Sequence, residues 1–541
     1  MRVSVSVRAS LLAATIAAIC AGAPALAKER SDVIIVNGTV HDGSDAASRL
    51  SDVVIRGDRI VYVGSNAQEK FSADRIVDAK GKIVAPGFID PHTHPDEFIR
   101  SDDPAQRLTA AWLFQGATTL MIGVDGYGTP DLDKEDARIK KDGVGVNLGT
   151  YVGFGRIRTA VLKQDAREPT VEELQRMRTI VADGMCQGAF GLSTGLFYAP
   201  QSFAKTEEVI EVAREAAKRG GIYDTHQRDE SSYSIGLLGS TREVLRIGRE
   251  AGLPVHFAHI KALGIDVHGE ADDVIKLIND ARASGQVVTA DQYPWLASGT
   301  GLSASLLPRW AVDGGRPALL KRLDDQETLQ KIRTEMRENL RRRGGPDSLV
   351  LTVSGSPWHG KKLSEVARER SEDPIDAALF VIRDGRESAV SFNMDNADVI
   401  RFMRQPWIVT SSDGSSGHPR QFATFPQKYR EYVQKGIVTV GEFIRSSTGR
   451  TADILRLPAR GYLREGYVAD VVVFDPARYA PKADYLHPRE LSEGVTQLLV
   501  NGQLAIDDGK LTGVAAGKLL RHQPTSGCTQ QKISSLHPSR D

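Results

Sequence analysis

The sequence predicts an α/β protein: a (β/α)8 barrel beside a small β-sandwich that both chain ends build, with an inserted lid. Short apolar strands bounded by turn residues lie towards each end of the chain, and amphipathic helices alternate with apolar strands between them. Strands that alternate with helices are typical of a parallel sheet. We count about eight such strands, the number that closes a barrel.

The start of the chain has the pattern of a secretory leader. Arg2 and Arg8 flank a mixed start, Leu11–Cys20 is nearly all apolar, and Ala25–Ala27 has the small residues of a cleavage site. Spanning a bilayer takes about 20 apolar residues, and this run is shorter. We therefore expect residues 1–27 to be a signal peptide and the protein to be periplasmic or secreted.

Short β-strands follow the leader and return near the other end of the chain. Val53–Gly64 contains the turn residues Gly-Asp, and Val471–Phe474 is a run of four apolar residues. Each group is too small to bury a core by itself. We predict that residues 28–85 and 455–522 pair into one β-sandwich.

The long middle of the chain, residues 86–454, is predicted to form the barrel. Thr170–Ala182 and Glu207–Lys218 have apolar residues at helical spacing. A long gap before the last strand contains the charged stretch Lys331–Arg343, which we interpret as a solvated helix face in a lid around residues 300–375. The eight strands are predicted to end near Asp90, Gly123, Gly153, Ser193, Thr225, His259, Asp291 and Thr410.

The charge balance bears on the partners of the protein. Lys plus Arg and Asp plus Glu both number 69, so the formal net charge is zero. A balanced charge gives no reason to expect a nucleic acid or an anionic membrane surface as partner. We therefore expect a small-molecule substrate, and leave the oligomeric state open.

Two cysteines remain beyond the leader, Cys186 and Cys528. Two cysteines in so long an exported chain do not make a disulfide framework. We interpret them as a buried thiol and a thiol in a polar, disordered tail formed by residues 523–541.

Histidines end several of the apolar strands. Alternate residues of a strand point the same way, so the imidazoles of His92 and His94 can face one metal ion. His226 and His259 close two further strands. Side-chain packing alone is a poor explanation for histidines at the ends of three strands. Asp413 follows the eighth strand, where a carboxylate beside a metal is a candidate proton shuttle.

Six segments together resemble the amidohydrolase superfamily, and within it the D-aminoacylase (N-acyl-D-amino-acid deacylase) family. They are Pro86–His94, Gly188–Pro200, Thr225–Glu230, His259–Lys261, Ser412–Gly414 and His418–Arg420. The resemblance extends over nearly the whole chain beyond the leader. It implies metal-dependent hydrolysis of the amide bond of N-acyl-D-amino acids, or of related acylated amino acids and dipeptides, with one or two divalent ions, Zn²⁺ being the expected metal.

The resemblance also implies roles for individual residues. Asp413 becomes the catalytic acid/base, which takes a proton from water and delivers it to the departing nitrogen. The implied ligands of the principal metal are His226 and His259. The implied ligands of a second or weaker site are His92 and His94. The implied binders of the substrate carboxylate are Tyr198, Lys261 and Arg420.

This chain departs from the family pattern at two positions. The family commonly has a metal-binding cysteine in a turn after the second strand, where this chain has Asp125 between Gly123-Val and Gly126. An aspartate oxygen is a reasonable zinc ligand, though harder than a thiolate. Two interpretations of Asp125 stay open, a metal ligand and a turn residue. Phe154 stands where relatives often have a histidine, which leaves metal number and substrate open.

Three alternative functions are considered. Gly191–Gly195 fits the nucleophile elbow of a serine hydrolase with Ser193 as nucleophile, but Leu196–Pro200 has loop composition where a helix should begin. A cyclic amidase of the hydantoinase or dihydroorotase type usually has a carboxylated lysine at the fourth strand, and Gly188–Pro200 contains no lysine. A metal-free binding protein would not need the histidines and Asp413.

Overall fold

The computed structural model describes residues 1, 3–4, 28–353 and 355–528. The predicted signal peptide and its cleavage site lie outside the described residues, apart from three residues at the very start of the chain. Residues 529–541, most of the predicted tail, lie outside them as well. In the described part of the chain, no helix combines the length and the apolar composition that crossing a bilayer requires.

The described residues contain strands β1–β21 and helices α1–α19. The first group is β1 Glu29–Val40, β2 Arg49–Arg56, β3 Arg59–Gly64, α1 Ala67–Lys70, β4 Phe71–Asp78 and β5 Ile83–Pro86. The second group is β6 Phe88–Asp90, α2 Asp96–Ile99, α3 Pro104–Arg107, α4 Ala110–Leu113, β7 Ala117–Ile122, α5 Leu132–Asp142, β8 Asn147–Thr150, β9 Val152–Gly153, α6 Phe154–Leu162, α7 Val171–Cys186, β10 Gly191–Gly195, α8 Thr206–Lys218, β11 Ile222–His226, α9 Gly236–Ala251, β12 Val255–Phe257, α10 Ala271–Ala283 and β13 Val288–Gln292.

Two further groups complete the described chain. The third is β14 Ala297–Gly301, α11 Leu302–Leu306, α12 Gly315–Asp324, α13 Gln326–Arg342, β15 Leu349–Leu351, α14 Leu363–Arg370, α15 Pro374–Asp384 and β16 Ser388–Phe392. The fourth is α16 Asn396–Met403, β17 Ile408–Thr410, α17 Arg420–Lys428, α18 Val440–Ser447, α19 Gly449–Leu455, β18 Val471–Phe474, β19 Val495–Val500, β20 Gln503–Asp507 and β21 Lys510–Leu511.

Both ends of the described chain build one nine-stranded sheet. Its order is β21-β20-β19-β18-β5-β1-β2-β3, and β4 also pairs with β1. The antiparallel pairing of β18 with β5, in which Val472 lies opposite Ala85, joins the two ends. One face of the sheet packs around Ile35, Val53 and Val471. The ends of the chain therefore meet, as the sequence predicts, in a single hydrogen-bonded sheet, and the predicted domain boundaries stay predictions.

Two parallel sheets contain the eight strands predicted for the barrel. One has the order β6-β7-β8, and the other has the order β17-β13-β12-β11-β10-β9. The third predicted strand corresponds to β8 and β9, which only Tyr151 separates, so one chain segment contributes to both sheets. Each observed strand end lies close to its predicted position, and the prediction of strand number and position is confirmed.

The outer strands of the two sheets, β6 and β17, meet through a few hydrogen bonds. The described residues form no continuous ladder there, but Thr93 and Gly414 make an isolated parallel bridge. Asp413 N donates to His92 O at 2.9 Å, and His94 N donates to Gly414 O at 2.9 Å. The architecture is that of a multi-domain α/β protein whose parallel strands end in one place.

The helices between these strands begin where the sequence predicts them. At the start of α7, Thr170 Oγ1 accepts from Glu173 N at 3.2 Å, and the Glu173 carboxylate accepts from Thr170 N at 2.8 Å. This reciprocal pair satisfies two backbone donors that a helix start otherwise leaves unpaired. Helix α8 buries Val209, Val212 and Ala216 on one face, which packs it against the parallel strands.

The inserted region between β13 and β17 has a core of its own. Its strands form an antiparallel sheet in the order β14-β16-β15. Leu306, Leu340 and Leu379 belong to a hydrophobic cluster formed within the insertion. The insertion is thus more extensive than the predicted lid. The prediction of a solvated face for Lys331–Arg343 is wrong at its last residue, because Arg343 is 2% exposed.

The prediction of two separate thiols is wrong, because Cys186 and Cys528 form a disulfide. The pairing brings together residues 342 positions apart in sequence. Backbone hydrogen bonds attach the residues before Cys528 to the rest of the chain. His522 N donates to Gly188 O at 2.8 Å, and Thr525 N donates to Arg219 O at 3.2 Å. These contacts lie just before the first residues of β10 and β11. The first residues of the predicted disordered tail, 523–528, therefore lie against the folded chain.

Candidate metal and active site

The carboxyl ends of the parallel strands meet at a cavity of about 500 Å³. This is the end of a parallel α/β sheet at which ligands generally bind. All but one of the residues predicted to bind metal, to move a proton or to bind the substrate carboxylate line the cavity, and the exception, His92, is buried. The lining residues from that set are His94, Asp125, Tyr198, His226, His259, Lys261, Asp413 and Arg420.

Asp125 lies in a tight turn after β7, and its carboxylate lies between the histidine pairs. Its Oδ1 is 3.4 Å from His92 Nε2 and 3.5 Å from His259 Nε2, and its Oδ2 is 3.4 Å from His94 Nε2. His226 Nδ1 is 3.9 Å from the same Oδ1. The carboxylate is therefore central to the cluster.

Ser193 holds the turn that carries Asp125. The Ser193 hydroxyl donates to Gly123 O at 2.6 Å and accepts from Gly126 N at 3.1 Å. Gln201 Nε2 donates to Asp125 O at 2.9 Å. The Ser193 side chain is completely buried and does not line the cavity, and β10 runs into a turn rather than a helix. These features contradict a role for Ser193 as a hydrolase nucleophile.

His226 and His259 stand side by side at the ends of neighbouring strands. His226 Nδ1 and His259 Nε2 are 2.9 Å apart. Burial lowers the pKa of His226 to about 4, so its imidazole is neutral near pH 7. A neutral ring nitrogen is the form that a metal ion requires.

Glu230 and Lys261 support the far side of His259. Glu230 Oε1 is 3.2 Å from His259 Nδ1, and Lys261 Nζ donates to the same carboxylate oxygen at 2.7 Å. Burial opposes ionisation of Glu230, but the charge of Lys261 outweighs it and lowers the pKa of Glu230 to about 2. Histidine ligands of metal ions usually place their second nitrogen against such a carboxylate.

Asp413 faces both the histidines and a buried guanidinium. Its Oδ1 is 3.3 Å from His94 Nε2, and its Oδ2 is 2.7 Å from Arg420 Nη1. Burial opposes ionisation, but the charge of Arg420 prevails and holds the pKa of Asp413 far below its usual value. Arg420 also donates to Ser415 Oγ at 3.1 Å. Asp413 is therefore a carboxylate whose Oδ1 faces the cluster.

The side chains of this cluster fit a divalent cation. Ligand atoms of His92, Asp125, His259 and Asp413 all lie within 4.8 Å of one another, as do those of His226, Glu230 and His259. Both ring nitrogens of His92 and Oδ1 of Asp125 are buried without a hydrogen-bond partner. Burial opposes a charge on His94, but Asp125 and Asp413 outweigh it and raise its pKa to about 10. The buried carboxylates of Asp125 and Asp413 are thus stabilised by nearby positive charge, and a bound cation also supplies such charge.

Three residues of the cluster have backbone conformations that are rare for residues other than glycine. The φ angles are 53° at Asp125, 35° at His259 and 46° at Asp413. Such left-handed residues cost roughly 1 kcal/mol or more each and persist where the surrounding structure holds them. Their occurrence at three strand ends around one cavity supports a functional role for this cluster.

Sequence reasoning missed two residues that hold the cluster in place. Asp291 Oδ1 accepts from His259 N at 2.8 Å, and Asp291 Oδ2 is 2.9 Å from His256 Nε2. Glu230 supports His259 from the other side. Glu230 lay within a segment that carries the family resemblance, and Asp291 was identified only as a strand end. Polar residues that close otherwise apolar strands are the signal that could have found Asp291.

Comparisons with known proteins agree with this geometry. A sequence profile described as "Amidohydrolase family" matches residues 75–506. The D-aminoacylase of Alcaligenes xylosoxydans xylosoxydans is 33% identical over 519 residues, which cover 90% of this chain and 97% of that protein. A solved D-aminoacylase, described with a binuclear metal centre, has a TM-score of 0.76 at 32% identity and covers 91% of this chain and 100% of its own.

A second solved structure is also similar over the same extent. It is the N-acyl-D-glutamate deacylase from Bordetella bronchiseptica, complexed with zinc and a phosphonate inhibitor that mimics the tetrahedral intermediate. The TM-score is 0.77 at 28% sequence identity, and the match covers 91% of this chain and 100% of that one. The similarity therefore extends through the parallel strands, the insertion and the sheet built by the chain ends.

Proposed function

This chain belongs to the amidohydrolase family and, within it, groups with the D-aminoacylases, and we propose that it hydrolyses the amide bond of N-acyl-D-amino acids. One observation carries the proposal: histidines from three strand ends surround the carboxylates of Asp125 and Asp413 at a cavity whose volume suits a small molecule. Arrangements of this kind bind a divalent ion and place an acid/base group beside it.

We propose zinc as the metal, because imidazole nitrogens with a carboxylate oxygen are ligands that zinc accepts. His226 and His259 would hold the principal ion and His92 and His94 a second, with Asp125 between them. A related deacylase was solved with zinc. When bound, the ion supplies hydroxide near neutral pH and polarises the amide carbonyl.

Asp413 is proposed to move the proton. Arg420 holds Oδ2 of Asp413 and keeps the group ionised, so Oδ1 faces the cluster and is the atom that accepts a proton from water. The same oxygen then delivers the proton to the departing nitrogen, which leaves poorly as an anion.

The substrate carboxylate is assigned to Arg420 and Tyr198. Arg420 lines the cavity, and the Tyr198 ring lies 4.8 Å from the His226 ring, which places the phenol beside the cluster. Lys261, the third predicted binder, is committed to an ion pair with Glu230 and lies 2.6 Å from His259 Nδ1. We therefore assign to Lys261 the role of orienting His259 through Glu230.

We also propose that the parallel strands form a closed (β/α)8 barrel with the insertion as its lid. The bridge between Thr93 and Gly414 supports closure between β6 and β17, and the contiguity of β8 and β9 supports it on the other side. A circular arrangement explains why ligands from the first, second, fifth, sixth and eighth strands can converge on one point.

Export to the periplasm or the exterior is proposed on two grounds. The first 27 residues have the composition of a secretory leader. Cys186 and Cys528 form a disulfide, and disulfides form and persist mainly in oxidising compartments. Cell fractionation combined with mass spectrometry of the amino terminus tests this: we expect a chain that begins after Ala27 in the exported fraction, and a full-length cytosolic chain with two free thiols would contradict it.

Metal analysis and hydrolysis measured together test the main proposal. The purified exported protein is assayed with matched N-acetyl-D- and N-acetyl-L-amino acids, before and after dialysis against a chelator, with metal content followed by mass spectrometry. We expect release of free D-amino acids that chelation abolishes and added zinc restores. Hydrolysis that persists in metal-free protein, or that is confined to L-substrates, would overturn the proposal.

A further inference from the structure

The part of the cavity wall that the insertion supplies, called the arginine end below, contains a buried arginine. Arg343 follows the last residue of α13 in the insertion, is 2% exposed and lines the cavity. Tyr233 and Thr352 line the same cavity, and the Tyr233 ring centroid is 5.7 Å from the Arg343 guanidinium. The guanidinium therefore belongs to the wall of the substrate cavity and not to the outer surface of the insertion.

Arg343 has no anionic partner among the residues that the structure describes. Its Nε and Nη1 are buried and make no hydrogen bond. The two residues before it have side-chain partners: Arg341 pairs with Asp266 at 2.8 Å, and Arg342 donates to Asn339 at 2.7 Å. A buried, unpaired guanidinium is costly and is generally matched by an anion or hydrogen-bond acceptors.

A second arginine strengthens the positive character of this end. Arg309 lies over the ring of Phe197, which also lines the cavity, at 4.0 Å, and among the described residues it donates only to the carbonyl of Ala304. Burial lowers the pKa of Arg309 to about 10, and the nearby charge of Arg343 acts in the same direction. Two cations therefore share this region.

Asp229, an acidic group whose charge acts on Arg309, is already engaged in hydrogen bonds. Asp229 accepts from the backbone N–H groups of Ser231, Ser234 and Gly236 at 3.0, 2.6 and 3.0 Å, which occupies both of its oxygens. Glu387, which lines the cavity, accepts from Ser303 N at 2.9 Å. The cations at this end are thus left for a ligand.

We propose that Arg343 binds a second carboxylate of the substrate, so that the preferred substrates are N-acyl-D-amino acids with an acidic side chain. This inference rests on the proposed function, in which Arg420 and Tyr198 hold the α-carboxylate beside Asp413. Arginine presents a planar fork that matches a carboxylate through two hydrogen bonds, and burial strengthens such pairs. Arg309 adds positive potential behind Arg343.

The test compares N-acetyl-D-glutamate with N-acetyl-D-glutamine, which differ only in the charge of the side chain. We expect the wild-type kcat/KM to favour the acidic substrate by about 10- to 100-fold, the range that a charged hydrogen bond provides. In Arg343→Met, the acidic substrate loses most of this factor while the neutral one stays within about threefold. Arg343→Lys keeps the charge without the fork and regains part of the preference.

Arg342→Met is the matched control, because Arg342 is adjacent in sequence but does not line the cavity. It should leave the preference unchanged. Equal hydrolysis of both substrates by the wild type overturns the inference without any variant and leaves the proposed function intact. An equal loss on both substrates in Arg343→Met also overturns it, since Arg343 would then contact a group that both share. Failure to hydrolyse any N-acetyl-D-amino acid removes the proposed function and this inference with it.

Discussion

The two ends of the cavity differ in the charges of the side chains that line them. At the histidine end, Asp125 and Asp413 lie within 4 Å of imidazole nitrogens, and buried acids and bases face one another. At the arginine end, Arg309 and Arg343 have no acidic partner among the described residues. One end therefore suits a cation and the other an anion, which constrains both the position and the charge of a substrate that reaches from one to the other.

The two ends also belong to different parts of the fold. The histidine end lies on the last residues of parallel strands, which are buried and fixed by their neighbours, whereas Arg309 and Arg343 lie in the insertion between β13 and β17. Chemistry that needs fixed geometry is best built on rigid elements, and selectivity is commonly built on inserted segments. Substitutions at the two ends should therefore have separable effects.

The largest expected effect is at Asp413. In Asp413→Asn the side chain keeps its shape but no longer accepts and delivers a proton, so we expect kcat to fall by about 10²–10⁴-fold. Both kcat and metal content should be measured, because zinc should remain bound through the histidines. A variant with near-normal kcat would show that the histidine end works without this carboxylate.

The next effect concerns Asp125 and the metal. Asp125→Ala removes the carboxylate that lies between the two histidine pairs, and we expect metal affinity to fall by at least the 10- to 100-fold or so that loss of a supporting group typically costs. Asp125→Cys supplies a thiolate, a softer ligand, and should retain zinc. Metal titration followed by mass spectrometry measures both. Unchanged zinc affinity in Asp125→Ala would reduce Asp125 to a turn residue.

Glu230 should give a smaller change of the same kind. Glu230→Gln removes the negative charge between Lys261 and His259, so His259 loses the partner of its second nitrogen and Lys261 loses its ion pair. We expect zinc affinity to fall by about 10-fold or more while the preference for acidic over neutral substrates is unchanged. A change in that preference would contradict the separation of the two ends.

The smallest expected effect is at Arg309. Because its guanidinium packs on Phe197 and donates to a carbonyl, Arg309→Met removes a nearby positive charge but no direct substrate contact. We expect kcat/KM for N-acetyl-D-glutamate to fall by only about twofold to tenfold, because a charge that does not contact the substrate acts on it through intervening protein and solvent. The kcat/KM for N-acetyl-D-glutamine and the zinc content serve as internal controls. A loss as large as that of Arg343→Met would make Arg309 a direct binder.

The sequence predicted the histidine end far better than the arginine end, for a physical reason. His92, His94, His226 and His259 each follow an apolar strand, and parallel strands end on the same side of a sheet, so local patterns are enough to bring them together. Arg343 lies at the end of a charged helix whose pattern indicates a solvated face. Only the packing of the insertion over the cavity buries its last residue, and local sequence does not encode that packing.

The disulfide was missed for a related reason. Cys186 ends α7 and Cys528 lies in a polar segment without helical or strand periodicity, so nothing local relates them. Their pairing depends on where the chain passes after the nine-stranded sheet. Glu230 and Asp291 could have been identified from the sequence, because each follows or ends a predicted strand. Their role depends on the position of His259 between them, which only the structure shows.

The course of residues 517–528 also bears on how the protein reaches its final state. Gly517 N donates to Val144 O, Leu520 N donates to Leu148 O, and the segment ends at the bond to Cys186. These contacts line the starts of the parallel strands, opposite the cavity. The bond joins residues 342 positions apart in sequence, so it can form only after the segment that contains Cys528 has been synthesised. The bond therefore fastens this segment to the side of the parallel strands that lies opposite the cavity.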